Sequence, residues 1–295
     1  EGIYRGSKEV YENRTNIADD LDKCYTTDLF TAAAKKWIVN FKRGEEGDKP
    51  FFMYLAYDTP HAVLELPTQA YPAGGGLNGG LQWLGEPGKM INTASGEVDS
   101  WMHPDYANAT YDDDGNPATA QLAWPEVYKR YATDTRRIDD AVGDILQLLK
   151  DLKIDENTMV VFTSDNGPSK ESYLANEPID PTFFKSYGPF DGIKRDCLEG
   201  GVRMPTLALW PGNIPAGNHI ETPSISYDWM PTFAQMAGLP APAISDGVSL
   251  LPSLLGKGTQ AESNIYIEYF QPGKTPDYAD FIPEHQGRAR NQMQM

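Results

Sequence analysis

The chain has 295 residues, 40% of them hydrophobic, and a formal net charge of −17. That is enough apolar content for one large α/β domain or two smaller ones, and it excludes disorder of the whole. The acidic balance excludes bulk attraction to nucleic acid or anionic lipid, and the longest apolar runs, 51–57 and 159–162, fall far short of the roughly 20 residues that cross a bilayer.

In chain order, Phe30, Ala33, Trp37, Ile38 and Phe41 recur at helical spacing, with Asp28 in the first turn and Gly44 beyond the end, so 27–41 is predicted as an amphipathic helix. Before it, Asp19-Asp20 reads as a helix-flanking acidic patch, because the preceding 11–16 are too polar for a buried strand. The run 51–57 is short, aromatic and nearly continuous, as in a parallel strand covered on both faces, and it ends on Asp58-Thr59-Pro60-His61. The segment 67–124 is rich in Gly, Asn, Asp and Pro without sustained periodicity, which points to a functional loop or lid. Its Trp83 and Trp101 either stack on a sugar face or anchor the loop on the body.

A long helix is predicted from Pro125, with Ile138, Val142, Ile145, Leu146, Leu149 and Leu152 on one face. A strand at 158–164 follows and stops on Asp165-Asn166-Gly167-Pro168; further strands are expected at 206–210 and 264–270, and a short helix at 229–237 closed by Gly238. Helix-then-strand units imply an α/β sheet. Cys24 and Cys197 lack C-x-x-C spacing, which argues against a thiolate zinc cage and leaves a disulfide open. No basic stretch with an apolar core follows Glu1, so a signal peptide is absent or already removed.

In open α/β sheets, ligands collect beyond the carboxyl ends of strands, which singles out His61 and Asp165-Asn166. A carboxylate beside an amide offers two hard oxygen donors, half a set for Ca²⁺ or Mg²⁺, although the same residues are favoured in plain turns. Lys194, before the glycine-hinged Glu199-Gly200-Gly201-Val202-Arg203, is either an anion clamp or a solvated charge. His61 can donate a proton near neutral pH.

Taken together and in order, these motifs resemble the sulfatase family over roughly 26–256. The segment 50–61 resembles the strand ending in a sulfate-contacting histidine, here His61; Phe162-Thr163-Ser164-Asp165-Asn166-Gly167 resembles the metal-binding strand end; Lys194 with the EGG-x-R and Trp210-Pro211-Gly212 segments resembles the lysine that contacts sulfate. The resemblance implies an alkaline-phosphatase-like α/β fold, a mixed sheet flanked by helices and incomplete at both ends. It implies a partial domain over 1–260, including the 67–124 insertion, and the start of a C-terminal subdomain over 261–295. It also implies a sulfuric ester hydrolase acting on a sulfated small molecule or glycan, in the periplasm or secreted. Catalysis and substrate binding would rest on His61 and Lys194, and a divalent cation, Ca²⁺ or Mg²⁺, on Asp165 and Asn166.

The family's nucleophile is a formylglycine made within C/S-x-P-S-R, and no C/S-x-P-x-R occurs in these residues. The expectation is therefore that this chain alone is inactive and needs an N-terminal sulfatase segment as partner. Two rival readings stand beside this one: a phosphonate or phosphate monoester hydrolase on the same fold, for which four histidines are few, and a non-catalytic module that holds a sulfated glycan.

Overall fold

Two long amphipathic helices organise the first half of the chain. In the computed structural model, which describes residues 9–21, 23–170 and 177–294, the hairpin β1 (Tyr11–Glu12) and β2 (Thr15–Asn16) and the single turn α1 (Ala18–Leu21) precede α2 (Thr26–Arg43). Asp19 and Asp20 are exposed on α1. Helix α2 runs slightly beyond the predicted 27–41. Asp28 in its first turn and Lys42 and Arg43 in its last oppose the helix dipole. Next come β3 (Trp83–Glu86) and β4 (Lys89–Ile91), α3 (Pro104–Ala107), β5 (Thr110–Tyr111) and β6 (Leu122–Ala123), and then the 26-residue α4 (Glu126–Asp151).

Helices α2 and α4 are joined by buried charge. The Arg137 guanidinium donates from Nε to Asp28 Oδ1 at 2.7 Å and from Nη2 to Oδ2 at 2.6 Å, and both side chains are fully buried. One turn and more along, Lys35 Nζ pairs with Asp144 Oδ1 at 2.6 Å, and burial lowers the Lys35 pKa. Asp144 also accepts from Tyr71 Oη and from the backbone N–H groups of Gly76 and Leu81, so it pins the segment after residue 67 to α4.

That segment, expected over 67–124 as a functional loop or lid, carries regular structure of its own. It folds into two hairpins and a helical turn, and Leu81, Met90, Ile91 and Ala94 join Leu29 and Ala32 of α2 in a buried cluster. Both tryptophans anchor it: Trp83 packs on that cluster beneath Lys36, and Trp101 donates its backbone N–H to Pro67 and lies 5.8 Å from the Arg137 guanidinium.

The run 51–57 also differs from expectation. It is extended but belongs to no ladder among the described residues. Phe51 packs against Trp37 and Phe41, and Tyr57 Oη bonds to Thr31, whereas the alternate residues Phe52 and Tyr54 are 67% and 85% exposed. One face is covered, not two.

The described residues fall into two compact units, 9–154 with 177–179, and 155–170 with 180–294. The second unit contains β7 (Val160–Thr163), α5 (Glu199–Val202), β8 (Thr206–Leu209), α6 (Trp229–Met236), α7 (Leu251–Leu255), β9 (Glu268–Tyr269) and β10 (Met293–Gln294). Strands β7 and β8 are antiparallel, with Val160 opposite Leu209 and Thr163 opposite Thr206. The strand expected over 264–270 shrinks to β9, paired with β10. Helices and strands alternate as in an α/β protein, and every sheet among the described residues is two-stranded. No helix is long and apolar enough to cross a membrane.

Removing one partner of a fully buried ion pair strands the other charge. Arg137→Ala is therefore expected to cost about 3–5 kcal/mol, read as a lower denaturant midpoint, while Lys49→Ala, which removes an exposed pair with Glu46, leaves the midpoint nearly unchanged.

Candidate functional site

In the first unit, the N-terminus of α2 sets the turn that carries His61. Thr26 Oγ1 donates to the Asp58 carboxylate at 2.9 Å, and Thr27 Oγ1 lies 2.6 Å from Thr59 Oγ1. Beneath them, Tyr25 Oη donates to Asp134 at 3.1 Å, and burial raises the pKa of both groups. The turn closes with the His61 N–H donating to Asp58 O at 2.9 Å. The exposed His61 ring has Nδ1 2.6 Å from Ala62 O. A carbonyl only accepts, so Nδ1 is the donor in this contact.

In the second unit, Asp165 and Asn166 follow the end of β7. The Asp165 carboxylate is exposed and has no hydrogen-bond or ion-pair partner among the described residues. Asn166 donates its amide N–H to Gly167 O at 3.0 Å, which turns its Oδ1 away from that bond. Two hard oxygens on adjacent residues suit a divalent cation, and they remain half a shell. Among the described residues, the one close group of three acidic side chains is instead Asp112, Asp113 and Asp114, in an exposed turn whose oxygens accept from local N–H groups.

Backbone contacts join this loop to Lys194. The Lys194 N–H donates to Pro168 O at 2.8 Å, and the Gly167 N–H donates to Gly201 O at 2.9 Å. A Cβ on Gly167 would lie 2.0 Å from Gly200 O, and one on Gly200 would lie 2.2 Å from Gly192 O. The loop carrying Asp165, the loop carrying Lys194 and the start of α5 therefore meet main chain to main chain, at a separation only glycine permits. Asp165, Asn166 and Lys194 are thus brought together within one unit, and His61 belongs to the other.

One organising residue escapes sequence reasoning. Asp196, 2% exposed, accepts the Ile193 N–H on Oδ2 and bonds from Thr275 Oγ1 and Arg290 Nε on Oδ1, at 3.0 and 2.6 Å. Its position two residues after Lys194 is the only local signal, because the partners lie 79 and 94 residues downstream. Asp191, five residues earlier, likewise holds His285 Nδ1 at 2.7 Å.

Comparison with known proteins places these motifs in context. The family model described as Sulfatase matches residues 3–239. The N-acetylgalactosamine-6-sulfatase of Canis lupus familiaris is 44% identical over 129 residues, 43% of this chain and 23% of that protein. The steryl-sulfatase of Homo sapiens is 36% identical over 141 residues, 47% of this chain and 24% of that protein. The matched stretch thus spans about a quarter of the length of these curated relatives. Among solved structures, Ps i-CgsB in complex with k-i-k-neocarrahexaose superposes with a TM-score of 0.53 at 23% identity, over 84% of this chain and 42% of that one, which shows a shared fold of the alkaline-phosphatase-like kind.

Gly167→Ala is expected to force the two loops apart. Hydrogen exchange at the Lys194 amide should accelerate, and stability should fall by about 1–3 kcal/mol, the usual cost of overpacking; an unchanged Lys194 amide would contradict the interlock.

Proposed function

This chain belongs to the sulfatase family, and from that premise we propose that the protein hydrolyses sulfuric esters of glycans, with Lys194 and His61 on the sulfate and Asp165 and Asn166 on a divalent cation, Ca²⁺ or Mg²⁺. The observation that supports the reading is the main-chain bond from Lys194 to Pro168, which ties the loop bearing Lys194 to the loop bearing Asp165 and Asn166.

The chemistry accounts for these residue types. A sulfate monoester is an anion that repels an attacking oxygen, and charge accumulates on the leaving oxygen as the S–O bond breaks. Lys194 neutralises the non-bridging oxygens, and a positioned cation of this sort lowers the barrier more in a preorganised site than in water. His61, with Nδ1–H held on Ala62 O, protonates the departing alcohol from Nε2. A divalent ion, when bound, supplies further positive charge to the same oxygens. Turnover also needs an attacking group from outside these residues, since they contain no C/S-x-P-x-R; the family resemblance assigns that role to a formylglycine. Sugar sulfates are favoured because the relative of 44% identity is by name a sulfatase of N-acetylgalactosamine 6-sulfate.

In the full-length protein, Lys194→Ala and Asp165→Ala are each expected to lower kcat/KM for 4-nitrocatechol sulfate by about 10²–10³-fold, with the melting temperature retained. Chelation should abolish turnover and Ca²⁺ or Mg²⁺ restore it. Faster cleavage of the matching phosphate ester would overturn the sulfate assignment.

A further inference from the structure

In the second unit, five cationic side chains, Lys170, Lys194, Arg195, Lys274 and Arg290, line one cavity of about 130 Å³. No carboxylate belongs to the lining among the described residues. Such convergence stands out in a chain of net charge −17, and a concavity lined by cations favours an anionic occupant.

The cations differ in what holds them. Arg290 serves the fold, since its Nε pairs with the buried Asp196. Lys170 pairs with Asp180 at 2.8 Å but keeps 45% of its side chain exposed. Lys274 is exposed and makes no ion pair among the described residues. Its position is nonetheless fixed. The Arg290 N–H donates to Gly273 O at 3.0 Å, the Thr275 N–H donates to Arg288 O at 2.9 Å, and Thr275 Oγ1 bonds to the same Asp196 that staples the Lys194 loop. Arg195, beside Lys194, adopts φ +78°, a conformation that non-glycine residues rarely take and that the surrounding structure must enforce. The segment 273–276 and the loop 193–195 thus present charge to one space through a shared carboxylate.

We propose that this cavity is a second anion subsite, adjoining the sulfate contact made by Lys194, which receives a sulfate or carboxylate group from the sugar next to the ester being cleaved. The preferred substrates are then glycans bearing at least two anionic groups. A local set of cations in an otherwise acidic chain also suits a short oligosaccharide better than a long polyanion, which the remaining surface repels. This inference rests on the sulfate-ester reading above.

The test uses the full-length enzyme and three disaccharides of one backbone, carrying the scissile sulfate alone, that sulfate plus a second sulfate on the neighbouring sugar, or that sulfate plus a neighbouring carboxylate. The second anion is expected to raise kcat/KM about tenfold, as for one added charge-assisted hydrogen bond, and the more effective arm identifies the group. Lys274→Ala should remove most of that gain while leaving kcat/KM for the monosulfated disaccharide within about twofold. Equal kcat/KM for all three, or a gain that survives Lys274→Ala, overturns the subsite and leaves the sulfate-ester reading intact. No hydrolysis of any of the three overturns both.

Discussion

The bidentate pair between Asp28 and Arg137 is the constraint on which the first unit depends. Its partners are 109 residues apart and fully buried, so neither charge is tolerable without the other, and the chain between them must return to close the pair. The same carboxylate accepts from Thr93 Oγ1 at 2.7 Å, and the same guanidinium donates to Gln69 O. Charge that only clamped two helices would be a costly way to do what leucines do. Here it also satisfies loop groups that no sheet reaches, as Asp144 does for Gly76 and Leu81. The turn carrying His61 inherits this rigidity, since Thr26 and Thr27, which hold Asp58 and Thr59, immediately precede Asp28 on the same helical turn.

The second unit positions its loops by a different means. Loops become precise there by exchanging main-chain bonds at van der Waals contact, and the absence of side chains at Gly167 and Gly200 allows that approach. The side chains flanking the glycines can then face outward. Asp165 does so while its neighbours are fixed, a suitable arrangement for a ligand-binding carboxylate because holding the backbone uses none of its oxygens.

How much of this was legible in the sequence follows from the range of the interactions. Helices α2 and α4 were readable because their apolar stripes repeat locally, whereas Asp165, Asn166, Lys194 and His61 stand out as candidates because strand ends and motif order mark them. The run 51–57 misled because a continuous apolar stretch does not reveal how many of its faces are covered; Phe52 and Tyr54 point outward although their types suit a core. The elements within 67–124 went unread because the strands there are two to four residues long and held by distant carboxylates, a pattern with no period to detect. Asp196 was invisible for the same reason, being defined by Thr275 and Arg290 far downstream.

The charge distribution links these observations to selectivity. At physiological ionic strength, exposed charges lose sight of one another beyond about 8 Å, so the anionic glycan proposed as ligand would gain no long-range steering from a chain of net charge −17 and would meet weak repulsion. Recognition must then arise at contact, from cations fixed in place before the ligand arrives. Asp196 supplies that fixation for the Lys194 loop and, through Thr275, for the segment bearing Lys274. On the proposed reading, such a protein would discriminate through the spacing of its ligand's charges more than through their number, because a misplaced anion would find only the acidic remainder of the surface.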